Sequence, residues 1–290
     1  MFTMVTIIDG LSLGSIYALI ALGYTMVYGI AKMLNFAHGD VIMVGAYAIF
    51  VVLTATTNPI LGFITAIIVC TLLGIIIEKL AYKPLRSASP LAVLITAIGV
   101  SNLLQGIAQL VFGSEIHQIN ILNRLGSVVF LGYKIQISTM ITLLISAIIM
   151  ITLTIFIKKT KTGRAMLAVS EDKGAAQLMG IDVNKIIMIT FAIGSALAAF
   201  ASLFQLIKAP LESTFGALPG IKAFAAAVIG GIGSIPGAML GGILLGLIEN
   251  IAQVFPTIAP YTNAIEFSVL ILILLVKPSG LLGKKLREKV

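Results

Sequence analysis

Long apolar stretches free of Asp, Glu, Lys and Arg follow one another along the chain, at residues 10–31, 41–77, 87–114, 135–157, 186–207 and 223–248. A further stretch near 258–276 carries only Glu266. The hydrocarbon core of a bilayer is about 30 Å thick, and a helix needs about 20 apolar residues to cross it. The stretches therefore predict membrane-spanning helices. The stretch 41–77 is long enough for two, divided at the turn TATTNP (54–59). A membrane β-barrel would show alternating strands of about 10 residues instead. The pattern predicts an all-α polytopic membrane protein with about eight transmembrane helices.

Two places interrupt this regularity with polar or helix-breaking residues: LNFAHGD (34–40) and GGIGSIPGAMLGG (230–242). Irregular backbone at membrane depth is tolerated only inside protein or beside a water-filled cavity, and broken helices form the substrate sites of many transporters. The first place reads either as a broken helix or as a cytoplasmic turn with Asp40 capping the next helix. The second reads as a broken or re-entrant segment or as a loop between two helices. Residues 208–249 accordingly cross twice or form a re-entrant hairpin. The pairs Gly10/Gly14, Gly237/Gly241 and Gly242/Gly246 have GxxxG spacing, which lets helix backbones approach closely.

Composition agrees with the pattern. The chain is 59% hydrophobic and 10% charged, against about 45–50% and about 25% in soluble domains. The net charge of +8 raises the question of nucleic acid, but its distribution points elsewhere. Lys79, Lys83 and Arg86 form one cluster; Lys158, Lys159, Lys161, Arg164, Lys173 and Lys185 a second; Lys277, Lys284, Lys285, Arg287 and Lys289 a third. All lie between or after apolar stretches, and basic residues mark cytoplasmic loops. With Lys32, this side holds fifteen of the nineteen basic residues, leaving Arg124, Lys134, Lys208 and Lys222 opposite. The bias predicts an outside N-terminus and a cytoplasmic C-terminus, with a longer outer loop at 113–134. Asp9 stands where a signal peptide would be basic, so the first stretch is read as a retained membrane helix. Cys70, the one cysteine, reads as a buried apolar side chain.

One polar stretch stands out on the cytoplasmic side: VSEDKGAAQLMGIDVNKI, 169–186. Ser170 reads as an N-cap, Glu171 and Asp172 as first-turn acids favoured by the helix dipole, and Gly180 as the C-terminal cap. The result is a helix of about nine residues at 170–180, with Asp182 capping the next membrane helix. So short a helix is not stable alone in water. Ala175, Ala176 and Met179 are expected to form its shallow apolar face. That face is too small for a membrane-surface helix and fits docking into a groove of another protein.

The spacing E-x4-A-x3-G, here Glu171, Ala176 and Gly180, resembles the coupling motif of ABC importer permeases. The flanking TKTGRAMLAVSED and MGIDVNKI, the early GLSLGSIYALIALGYTMVYGIAKMLNFAHGD and the late GGIGSIPGAMLGGILLGLIE are similar to LivH-type permeases of branched-chain amino acid ABC transporters. The resemblance runs from Gly10 to Glu249. It implies one permease domain over residues 1–290 that imports leucine, isoleucine and valine across a bacterial cytoplasmic membrane. It further implies a second, LivM-like permease, two cytoplasmic ATPases that bind ATP and Mg²⁺, and an extracytoplasmic binding protein. Glu171, Ala175, Ala176 and Gly180 would then couple to the ATPase. Related permeases for urea and short amides carry similar segments.

The chain contains no G-x-x-x-x-G-K-[ST] phosphate cradle. With His38 and His117 its only histidines, no catalytic or metal-binding constellation emerges, and the chain reads as a transport subunit without a cofactor of its own. Ionisable groups within membrane segments are costly and are functional candidates by default. His38, Asp40, Glu249 and Glu266, with Asn35, are the candidates for lining the path or holding a broken helix. Glu249 and Glu266 alternatively reach the outer interface. A stand-alone secondary carrier remains the competing reading from these carboxylates.

Overall fold

Small residues let α1 (Met4–Ala31) and α10 (Ile235–Val254) run antiparallel with their backbones in contact. A Cβ on Gly14 would lie 2.7 Å from Ile243 Cα, and one on Gly242 would lie 2.5 Å from Ala18 Cα. A Cβ on Gly246 would overlap the backbone of Gly14. Two of the three GxxxG pairs thus seal the contact between α1 and α10. Gly246→Val is expected to stop α10 from seating, because overpacking costs about 1–3 kcal/mol even where neighbours can shift and here the neighbour is backbone. The yield of monodisperse chain in mild detergent should fall severalfold.

The computed structural model describes residues 4–119, 126–130 and 133–283. Among these, eight helices are long and apolar enough to cross a membrane. Besides α1 and α10 they are α2 (His38–Thr56), α3 (Pro59–Ile77, continued by a π-turn at Glu78–Tyr82 and a 3-10 turn at Lys83–Leu85), α4 (Pro90–Phe112), α5 (Ile137–Lys159), α8 (Val183–Leu206) and α11 (Thr262–Val276, entered through a 3-10 turn at Ala259–Tyr261). Helix starts follow local chemistry. Asn58 accepts from Ile60 N–H at 3.0 Å to cap α3 beside Pro59, and Ser89 caps α4 beside Pro90. α1 and α8 form the buried centre, and α4 and α11 the periphery. α8 closes on its neighbours where Gly23 of α1, Gly74 of α3 and Gly45 of α2 leave space for Gly194, Ser195 and Ser202.

The ambiguous region 208–249 resolves into two unequal parts. α9 (Ala217–Gly230) has 14 residues, about 21 Å at 1.5 Å per residue, shorter than the core of a bilayer. Irregular chain precedes it, fixed where Leu211 and His117 exchange two backbone hydrogen bonds of 2.9 Å. GGIGS is the turn between α9 and α10, entered through left-handed Gly231 and Gly233. Ser234 caps α10 by accepting from Gly237 N–H at 3.2 Å. Irregular chain thus lies before α9, and GGIGSIPG holds a turn and the start of α10. α9 folds back on α10, with Gly241 against Ala226 and Gly237 against Gly230, and so runs parallel to α1.

The fold also departs from purely helical. Ser127–Phe130 (β1) pairs antiparallel with Tyr133–Gln136 (β2) in the loop between α4 and α5. The β-branched residues Val128, Val129 and Ile135 favour this pairing. Arg124 in the same loop, and Lys284, Lys285, Arg287 and Lys289 at the tail, lie outside the described residues.

Candidate functional site

The polar stretch between α5 and α8 forms a hook of two short helices. Thr160 ends α5 and caps α6 (Lys161–Glu171), accepting from Gly163 N–H at 3.0 Å. Gly163 sits against the backbone of Ile157, leaving no room for a side chain at this corner. α6 turns Gly163, Met166 and Val169 inward. At Asp172 the backbone swings to φ −154°, ψ 113°, and the carboxylate caps α7 (Lys173–Leu178) by accepting from Gly174 N–H at 2.8 Å and Ala175 N–H at 3.0 Å. Ser170 is not the cap. It lies in the last turn of α6, where its hydroxyl donates to Leu167 C=O at 2.7 Å. α7 is correspondingly six residues long, not nine, and Glu171 ends the preceding helix. The far end matches expectation. Gly180 is left-handed at φ 81°, Gly180 N–H bonds Gln177 C=O, and Ile181 N–H reaches Ala176 C=O at 3.0 Å. This is the double closure that glycine permits. Asp182 then caps α8 by accepting from Lys185 N–H at 3.1 Å.

The faces of α7 differ from those expected. Ala176 points into the protein and is 3% exposed, so it anchors the helix and is not part of its outer face. Ala175 is exposed, Leu178 is 90% exposed and Met179 82%. Leu178 is the outer residue that helical spacing alone did not single out. Lys173 Nζ donates to Ala31 C=O, the last residue of α1, at 2.8 Å. Burial, with Arg86 and Lys32 nearby, lowers the pKa of this ammonium from the usual lysine value. Arg86 bonds both Glu78 at the end of α3 and Asn184 at the start of α8. The hook is therefore tied to α1 directly and to α5 and α8 through the chain.

The interruption at 34–40 is buried and held by side chains. α1 stops at Lys32, a non-glycine residue at φ 60°. Tyr82 O–H donates to Asn35 Oδ1 at 2.9 Å. His38, which opens α2, packs edge-on to Tyr24 with ring centroids 4.9 Å apart, in the space that Gly23 leaves. Gly23 lies eight residues before the end of α1, about 12 Å inside it. The chain thus doubles back into the bundle before α2 begins. Asp40 does not cap α2; its Oδ1 accepts from Gln105 Nε2 of α4 at 2.8 Å. Gly39 touches Gly216 and Gly220, so the N-termini of α2 and α9 meet. Asn35, His38 and Asp40 form one group with Tyr24, Tyr82 and Gln105.

Glu249 and Glu266 belong to a second group, centred on a residue the charge bias assigned to an outer loop. Lys222 of α9 is 4% exposed. Its ammonium lies 2.8 Å from Glu249 of α10 and 3.2 Å from Glu266 of α11. Tyr17 O–H of α1 donates to Glu249 at 2.7 Å. Both carboxylates are buried, and they hold α9 between α10 and α11. One cation inside an apolar stretch, in a chain with two intramembrane carboxylates, was the available signal.

The comparisons with known proteins agree with this architecture. Residues 6–274 match the family described as the permease component of branched-chain amino acid transport systems. The chain belongs to that family. This branched-chain permease is 42% identical to the high-affinity branched-chain amino acid transport system permease protein LivH of Salmonella typhimurium, over 97% of its own length and 96% of the relative's. It is 41% identical to LivH of Escherichia coli, with the same coverage. Its identity to the high-affinity permease protein BraD of Pseudomonas aeruginosa is 44%, over 98% of the chain and 97% of the relative. No solved structure matches it. The permease is a multi-pass membrane protein.

Proposed function

We propose that this permease is the membrane-spanning subunit of an ATP-driven importer of leucine, isoleucine and valine in a bacterial cytoplasmic membrane. It pairs with a second, LivM-like permease. Two cytoplasmic ATPases bind ATP and Mg²⁺, and an extracytoplasmic protein delivers the amino acid. The observation that carries this reading is α7. A helix of six residues is capped at both ends, anchored by Ala176 and tied to α1 by Lys173, yet it leaves Leu178 and Met179 bare. A helix-in-groove contact buries such side chains. Glu171, Ala175, Ala176 and Gly180 define the coupling segment, Ala176 and Gly180 by shaping it and Ala175 by facing outward.

The N-terminus lies outside and the C-terminus in the cytoplasm. Eight helices long enough to span and the passage ending in α9 give nine crossings, which supports opposite sides for the termini, and the basic clusters at 158–164 and 277–289 support the cytoplasmic side. Movement of the ATPases would pull α7, and through Lys173 the end of α1 and the interruption at 32–37. Asn35, His38 and Asp40 stand at that interruption, beside the N-terminus of α9. The test is uptake of labelled leucine by membrane vesicles holding the native assembly. Uptake should require ATP on the cytoplasmic side and persist when ion gradients are collapsed. Gradient-driven uptake without ATP would refute the importer reading.

A further inference from the structure

α1, α5, α8 and α10 surround a cavity of about 390 Å³. It is lined by the first halves of α1 and α5 and the last turns of α8 and α10. It therefore lies at the end of the bundle away from α7, which holds the other end of α1. Its volume falls in the range of about 300–1,000 Å³ found for small-molecule sites.

The wall carries both signs of charge. Asp9 comes from α1, Glu249 from α10, and Lys208 lies just beyond α8. Glu249 is already engaged by Lys222 and Tyr17 at the floor. Asp9 accepts one hydrogen bond, from Thr139 at 3.1 Å. Lys208 makes no ion pair within 4 Å among the described residues, but the charges of Asp9 and Glu249 act on it. Gln205 also faces the cavity, and its side-chain carbonyl oxygen is buried without a hydrogen-bond partner among the described residues. Such a group costs free energy until something bonds it. Leu13 and Ile207 supply apolar wall.

We propose that this cavity is a station for one zwitterionic amino acid within this single permease. The α-carboxylate faces Lys208, the ammonium faces Asp9 and the Gln205 carbonyl oxygen, and an aliphatic side chain lies against Leu13 and Ile207. Asp9 and Glu249 already oppose the charge of Lys208; a zwitterion pairs with Lys208 and Asp9 at once, whereas a lone cation or a lone anion pairs with only one of them. The ammonium also arrives beside Glu249, so occupancy acts on the residue that holds Lys222 and α9. The identity of the solute rests on the importer reading above. The cavity and its charge pattern do not.

The test is photolabelling of the native assembly in membrane vesicles with a diazirine analogue of leucine, followed by peptide mapping. Label is expected in segments 9–17, 136–142 or 205–209 of this chain. Excess leucine should suppress it, and isoamylamine, which lacks the carboxylate, should be at least about tenfold weaker, as loss of a charged hydrogen bond implies. Lys208→Gln should abolish labelling. Should that variant not assemble, the competition on the unaltered protein decides alone. Label confined to other segments, or equal suppression by isoamylamine, overturns the proposal. ATP-dependent leucine uptake is read on the same vesicles. Uptake without label in the cavity removes the station and leaves the importer reading. Label in the cavity without ATP-dependent uptake keeps the station and removes the importer reading.

Discussion

Leu178→Arg is expected to reduce ATP-driven leucine uptake by at least about tenfold, while the chain still inserts and remains folded. Leu178 is 90% exposed and contributes almost nothing to packing within the permease. Its replacement therefore spares stability. In a docked groove it would instead be a central apolar anchor, and truncating or charging such anchors costs about 2 kcal/mol or more. Met179→Arg should act in the same direction. Ala176→Arg is a poorer probe, because Ala176 faces inward and the substitution would break the fold of the hook before reporting on any partner. The discriminating readout is uptake measured against the amount of monodisperse chain recovered in mild detergent. Unchanged uptake in Leu178→Arg would mean that α7 faces lipid headgroups or water.

Lys222→Met should be the most destructive single substitution for the fold. Lys222 compensates two carboxylates, Glu249 and Glu266, both buried and both far from it in sequence. Removing one partner of a buried ion pair costs about 3–5 kcal/mol because a bare charge stays behind. Here α9 would also lose its hold on α10 and α11. The combined change Lys222→Met, Glu249→Gln and Glu266→Gln should recover most of the loss, since neutral groups of similar shape replace the whole set. Thermal unfolding in detergent checks both variants. A Lys222→Met chain as stable as the parent would show that the cluster does not hold α9.

The two predictions mark where sequence was sufficient and where it was not. The membrane helices were legible because a span needs a long apolar stretch and little else. Gly180 and Asp182 were legible because caps act over three or four residues. The GxxxG pairs announced close approach, though only the fold shows that Gly14 and Gly246 meet each other. Ser170 and Asp172 show the limit of local reading. Both residue types cap helices well, and the choice fell to Asp172 because α6 packs Met166 and Val169 inward and carries the helix through Ser170. Ala176 was misplaced on the outer face for a related reason: which side of a short helix is buried depends on what lies beneath it. Lys222 was hidden because its partners come from two helices later in the chain, and a rule that counts basic residues in loops assigns a buried lysine to a loop. The meeting of α2 and α9 at Gly39, Gly216 and Gly220 has no local signature at all.

The most direct measurement places a photo-cross-linker on Met179→Cys in native membranes and identifies what it captures, with and without ATP. Cys70 is buried and should not compete for the reagent. The expected result is capture of a separate cytoplasmic chain that carries the phosphate-binding G-x-x-x-x-G-K-[ST] loop, with a yield that changes when ATP is added. Capture of lipid alone, or a position 179 that stays fully open to a water-soluble maleimide in the active assembly, would contradict the claim that ATP-driven movement enters the permease through α7.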